Sequence, residues 1–130
     1  MEPTILKSAL ETKNNSNESY IGKLFQSRDV IHLAHLKTTS FAAHKAMNEY
    51  YDGILDHIDS IVEALQGYEG RLFNLSIPSA QAEDPIAHLS GIKTLLLAWR
   101  ENTKIEFLKN QIDECMTLVS STLYKLKFLK

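Results

Sequence analysis

Five histidines, His32, His35, His44, His57 and His88, and a run of carboxylates after His44 are the residues of this sequence whose types and spacing suit chemistry. Imidazole nitrogen with carboxylate oxygen is a donor set for iron, zinc or manganese. On a helical projection at about 100° per residue, with His44 at zero, His44, Asn48, Asp52, Asp59 and Glu63 fall between roughly 0° and +100°, with Leu55 and Val62 among them. Met47, Tyr51, Ile54, Ile58, Ile61 and Leu65 fall between roughly −100° and −20°. A polar stripe therefore runs along one flank of an apolar one. From His44 to Glu63 it is ~28 Å long at 1.5 Å per residue, so one helix cannot bring both ends to one ion. An antiparallel two-fold partner can, because it lays the Asp59/Glu63 end of one chain over the His44 end of the other. His35 lies in the middle of the apolar face of the preceding segment and His32 at its edge. A turn at Thr38-Thr39-Ser40 lets His35 and His44 approach each other. The expected metal set is His35, His44, Asp59 and Glu63, with His32 or Asn48 as neighbours.

Other chemistries find little support. The sequence has no G-x-S-x-G elbow, no phosphate loop with Gly-Lys-Ser/Thr, no H-E-x-x-H and no G-x-G-x-x-G. Cys115 is the one cysteine, which excludes an intramolecular disulfide and zinc sites built from several thiolates. It stands in an apolar stripe and reads as a small core residue rather than a nucleophile. A reducing, intracellular setting, the cytoplasm, is the simplest one for such a chain. The net charge is −2 at pH 7, so nucleic acid is not an expected partner. The C-terminal Tyr124, Lys125, Lys127, Phe128, Leu129 and Lys130 are basic and aromatic, as suits a helix C-terminus. The longest apolar run, Leu95 to Trp99, is far short of the ~20 residues of a membrane helix. No apolar stretch with basic flanks opens the chain, so no secretory signal is expected.

The elements that must position these residues read as helices. With 130 residues, 44% hydrophobic and 23% charged, one soluble domain is expected. Residues 1–19 read as an arm or short helix around Ile5, Leu6 and Leu10, followed by a polar hinge. Residues 20–130 read as a four-helix bundle. Its first helix covers about 20–37, with Ile21, Leu24, Ile31 and His35 on one face. Arg28 falls on that same face and is expected to pair with a buried or interfacial carboxylate, for which Asp59 and Glu63 compete. The second helix covers about 41–66, with Ser40 as its N-cap and Gly67 or Gly70 as its end. Residues 68–84 form a long connection with room for a short helix at Arg71–Leu75. Asp84-Pro85 opens a third helix to 102 with Leu89, Ile92, Leu96 and Trp99 as its stripe. Thr103-x-x-Glu106 matches a capping box and opens a fourth over 104–128. The Leu95–Trp99 run serves the core or a subunit interface. Short loops pair the helices as antiparallel hairpins, and one long middle crossover is the ferritin-like variant of such bundles.

The stretch HKAMNEYYDGILDHIDSIVE, residues 44–63, resembles the second helix of the Dps-type mini-ferritins. In that family a histidine begins the helix, an aspartate follows four residues on, and an Asp-x-x-x-Glu pair lies fifteen and nineteen residues on. Here that spacing gives His44, Asn48, Asp59 and Glu63. The family's histidine late in the first helix is matched by His35, or by His32 in the alternative register. The resemblance implies ligands shared between two subunits at a two-fold interface. Asn48 replaces the aspartate, Leu36 (or Leu33) replaces the tryptophan after the first histidine, and residues 1–19 are not lysine-rich. The third and fourth helices have no Glu-x-x-His. Residues 34–70 and the stretch STLYKLKFL, residues 121–129, resemble small ferritin-like proteins of tailed bacteriophages.

The expected function is therefore that of a phage-encoded, ferritin-like, homo-oligomeric binding or assembly protein with a degenerate His/carboxylate site. Arg28, Asp52 and Trp99 are its candidate interface residues. One alternative is an iron protein that oxidises Fe(II) at a dimer interface, which is the sole enzymatic candidate. The other is a virion or host-interaction protein that holds a small ligand.

Overall fold

The computed structural model describes residues 16–130, which form four helices: α1 (Asn17–His35), α2 (Phe41–Glu69), α3 (Pro85–Asn102) and α4 (Glu106–Phe128). No strand occurs among the described residues. The protein is an all-α four-helix bundle. The helical signal at Ile5, Leu6 and Leu10 lies outside the described residues, as does most of the expected arm.

Helix ends follow the available caps. α1 begins three residues earlier than expected, inside the polar cluster, because the Ser16 hydroxyl accepts the Ser19 amide at 3.1 Å. The Ser40 hydroxyl accepts the Ala43 amide to start α2, and the Asp84 carboxylate accepts the Ala87 amide ahead of Pro85 to start α3. Gly70, at φ 69°, adopts the left-handed C-cap of α2, which carries the helix through Gly67 to Glu69. The Thr103/Glu106 capping box does not form. The Thr103 hydroxyl accepts the nearer Ile105 amide at 3.2 Å, and α4 opens at Glu106 without a side-chain cap.

Contacts between named pairs fix the directions. Ser27 meets Tyr50 and His35 meets His44, so α1 and α2 run antiparallel. Lys125 reaches Glu49 and Gln111 reaches Ser60, so α2 and α4 are antiparallel. Arg100 pairs with Asp113 across α3 and α4, and Trp99 with Asn17 across α3 and α1. Around the bundle the order is α1, α2, α4, α3, and the two diagonal pairs do not pack directly. Helices α2 and α3 therefore point the same way, so residues 70–84 must return along the length of the bundle.

That return explains why the short helix expected at Arg71–Leu75 is absent. The crossover has to span α1, 19 residues or ~28 Å at helical rise. Fifteen helical residues would reach only ~22 Å, whereas an extended chain reaches ~50 Å. The crossover is accordingly extended. Its Phe73 amide is taken by the Gln66 side chain at 2.9 Å, and Arg71 is drawn to Glu18 at 2.9 Å and Glu69 at 3.1 Å. Farther along, Gln26 donates to the Ser79 carbonyl at 2.8 Å. Gly22 allows the Ser76 carbonyl to lie against the α1 backbone.

The core is built from the apolar stripes. Leu89, Ile92, Leu96 and Trp99 of α3 are buried, as are Met47, Ile54, Ile58, Ile61 and Leu65 of α2. Tyr51, expected on the apolar stripe of α2, is only half-buried, and its neighbour Tyr50 is fully buried. Trp99 stacks on Tyr20 with ring centroids 5.1 Å apart and donates its indole N–H to Asn17 at 2.9 Å. It belongs to the core of one chain, whereas Leu97 of the same run faces out. Arg28 stays partly exposed and pairs with its neighbour Asp29 at 3.6 Å, not with Asp59 or Glu63.

Candidate functional site

The last turn of α1 and the first turns of α2 bring six polar or aromatic side chains together around the 36–40 turn: His32, His35, His44, Asn48, Tyr51 and Asp52. Ser40 caps α2, which sets His44 one turn into that helix. His44 Nδ1 lies 3.1 Å from the His35 carbonyl, one of the last carbonyls of α1. A carbonyl only accepts, so Nδ1–H of His44 is the donor, and in the neutral ring His44 Nε2 is a bare acceptor. His35 Nε2 lies 3.0 Å from that nitrogen and supplies the hydrogen. This arrangement leaves Nδ1 of the buried His35 as an acceptor with no partner among the described residues. Burial, reinforced by the nearby His44 and His32, holds His35 below the ordinary imidazole range.

The rest of the cluster orients these rings. His32 stacks on Tyr51 with centroids 4.1 Å apart, and the His35 ring meets Tyr51 edge-on. The Tyr51 hydroxyl donates to the Asn48 amide oxygen, and the Asn48 NH₂ reaches Asp52 at 3.3 Å. Asn48 is thus held by Tyr51 and Asp52 and is not turned to the histidine pair. Two imidazole nitrogens 3.0 Å apart would subtend roughly 90–97° at an ion bound at about 2.0–2.1 Å, close to a cis angle of an octahedral site. Taking an ion at both Nε2 atoms would expel the hydrogen that the rings share.

Within one chain the pair stands alone. Asp59 and Glu63 are exposed on α2, ~22 and ~28 Å from His44 along the helix. Neither forms an ion pair among the described residues. No group of three or more His, Cys, Asp or Glu side chains among the described residues is placed to share a metal. One chain therefore presents a histidine pair near the start of α2 and, farther down the same helix, two exposed carboxylates. His57 stands apart, half-buried against Glu114 of α4 at 3.8 Å.

A second polar constellation was not visible in the sequence. The Tyr50 hydroxyl, the Ser27 hydroxyl and His88 Nε2 form a buried chain with links of 2.8 and 2.9 Å, and Glu83 faces His88 Nδ1 at 3.6 Å. The order Ser, His, Glu resembles a nucleophile with its base and orienting acid. Ser27 is 0% exposed, and its oxygen is covered by Tyr50, so no substrate reaches it. The four residues come from α1, α2, α3 and the crossover. The sequence signal was confined to a histidine flanking the α3 stripe.

The basic, aromatic C-terminus forms one wall of a groove of about 470 Å³. Phe41, Ala42, Ala46 and Leu129 line it, with Lys45, Lys125 and Lys130 at the rim. Lys125 is pinned by Glu49 at 2.8 Å, and this pairing holds the Glu49 carboxyl below its ordinary value. No helix among the described residues is long and apolar enough to cross a membrane.

The expected likeness to phage proteins has a counterpart. An uncharacterized 14.6 kDa protein from the mobD–ri intergenic region of Enterobacteria phage T4 is 37% identical over 68 residues, 52% of this chain and 53% of that protein. The chain thus spans about half the length of this curated relative. No solved structure matches. Residues 35–126, from His35 through most of α4, match DUF5856, a family of unknown function, and the chain belongs to that family.

Proposed function

We propose that this chain is a homo-oligomeric assembly protein that pairs through the exposed face of α2, with a divalent transition ion binding where the half-sites of two copies meet. The observation that carries this reading is the 3.0 Å approach of His35 and His44, with Asp59 and Glu63 displayed on the same helix and out of their reach within one chain. An antiparallel pairing of two α2 helices about Gly53–Ile54 sets His44 of one copy against Glu63 of the other. It also sets Asp52 near Asp56 of the second copy. Unneutralised, those carboxylates repel, so the ion and the dimer support each other. The single long crossover between α2 and α3 is the connection of ferritin-like bundles, which adds support to the resemblance. Iron oxidation is the weaker reading, because Asn48 replaces a carboxylate and its amide is engaged by Tyr51 and Asp52.

Light scattering after size exclusion, with and without Zn(II) or Fe(II), tests the proposal alongside His44→Ala and Glu63→Ala. The expected result is an ion-dependent dimer, lost in each variant. Mixing the two variants should restore about half the ion binding of the natural protein, because a mixed dimer carries one intact and one doubly broken site. A monomer at every ion concentration overturns the proposal.

A further inference from the structure

Fifteen residues precede Ser16 in the sequence, and the chain enters the bundle at one end of a furrow. Ser16 itself lines a groove of about 510 Å³ together with Lys23 of α1 and Asn74, Ser76 and Pro78 of the crossover. Pro78 also lines a second groove of about 470 Å³, so the two meet there. The second groove lies between α1 and the crossover and is lined by Asp29, His32, Leu33, Leu36 and Ile77. Leu33 is 39%, Ile77 51% and Leu36 67% exposed, so three large apolar side chains share one open groove. Among the described residues the crossover makes no backbone–backbone hydrogen bonds over 72–83, which leaves it open to an extended neighbour.

Reach selects the occupant. Asp29 and Leu36, the two ends of the second groove on α1, lie ~20 and ~30 Å beyond Ser16 at helical rise. Leu6 is ten residues and Ile5 eleven residues ahead of Ser16, so an extended chain carries them as far as ~33 and ~36 Å. In helical form the same two residues reach only ~15 and ~17 Å and stop short of the groove. Leu10 reaches ~20 Å even when extended, which brings it to the near end alone. Ile5 and Leu6 are thus the apolar pair with the right span. Successive side chains of an extended chain point to opposite sides, which suits a groove with α1 as one wall and the crossover as the other.

We propose that residues 1–15 lie back along this furrow of their own chain in extended form, antiparallel to the crossover, with Ile5 and Leu6 seated between Leu33 and Leu36 of α1 and Ile77 of the crossover. Removing these apolar side chains from water on both partners drives the contact. The tether selects the occupant, because an attached segment faces the groove at an effective concentration on the order of millimolar. His32 lines the same groove, so the seated segment borders the histidine cluster. The placement needs neither an ion nor a second copy.

A spin label on Ser8→Cys tests the placement by nuclear magnetic resonance of the full chain, in chelator and without added metal, so the result is independent of ion-linked pairing. The native Cys115 is buried and its thiol is pushed up to about 12, so it stays unlabelled. The amides of Leu33, Leu36, Ile77 and Ala80 should lose most of their intensity. Those of Thr117 and Ser121 should keep theirs, because α4 lies diagonally across the bundle from α1. Leu6→Asp and, separately, Leu36→Lys at an exposed position should each restore the lost signals. Intact signals in the labelled protein overturn the proposal, as does broadening that survives Leu6→Asp. Broadening that passes to isotope-labelled, tag-free copies mixed with tagged ones overturns it too, because the segment then seats on a second molecule.

Discussion

Replacing Gly22 by alanine tests whether the crossover is packed as tightly on α1 as the structure has it. A Cβ there would stand 2.5 Å from the Ser76 carbonyl oxygen and 3.8 Å from Cδ of Pro78. The obstacle is backbone, so no rotamer change relieves it. Ordinary contact begins at 3.4 Å, which requires the crossover to retreat by about 0.9 Å. Overpacking of that kind costs about 1–3 kcal/mol. Against it stands the helix-propensity gain of Gly→Ala, about 1 kcal/mol. Gly91 supplies the internal standard. It lies within α3, and a Cβ on it meets nothing within 4 Å, so Gly91→Ala realises the propensity gain alone. Gly22→Ala should therefore be about 1–3 kcal/mol less stable than Gly91→Ala, a gap of roughly 4–12 °C in Tm at about 4 °C per kcal/mol. Urea unfolding and thermal melts followed by circular dichroism measure both. If Gly22→Ala stabilises the protein as much as Gly91→Ala does, the close approach of crossover and helix is wrong.

Two further outcomes follow from buried titratable groups. Burial pushes the Cys115 thiol up to about 12, so an alkylating reagent at pH 8 should leave the native protein unmodified and label it once urea unfolds it; rapid labelling without urea would refute this. His35 and His88 are both held below the ordinary imidazole value when folded. Above about pH 6.5 both states are neutral and stability is unaffected, whereas below it the unfolded chain takes up protons that the folded chain refuses. The urea midpoint should accordingly fall between pH 7.5 and pH 5.5, and an unchanged or higher midpoint at pH 5.5 would contradict the assignment.

Periodicity made the helices legible, and side-chain caps made some of their ends so. Ser40 and Asp84-Pro85 work as caps because the residue that bonds each first turn is adjacent in sequence. Thr103 fails as a capping box because its hydroxyl has a nearer amide at Ile105, a choice that local geometry makes and a spacing rule does not register. The deeper burial of Tyr50 than of Tyr51 was hidden for a related reason. They lie at opposite edges of the α2 stripe, and only the positions of α1 and α4 decide which edge is enclosed. Tyr51 instead joins the histidines, stacked on His32. The approach of His35 to His44 was legible because a short turn separates them. The Ser27, Tyr50 and His88 chain was not, since Ser27 and His88 are 61 residues apart and meet only when two hairpins dock. The extended crossover was hidden for a different reason: its form is set by the distance between two helix ends, which composition does not record.

Trp99 is the one tryptophan of the chain, and the groups around its ring are far away in sequence. Asn17, which takes its indole hydrogen, is 82 residues distant, and Tyr20, on which it stacks, belongs to the same far helix. Neither the α1–α2 hairpin nor the α3–α4 hairpin can build that environment alone. The fluorescence of the natural protein is thus an optical record of the moment at which its two halves join. Far-ultraviolet circular dichroism records the formation of the helices themselves. The interval between the two signals in a refolding experiment gives the time that independently formed hairpins spend searching for each other.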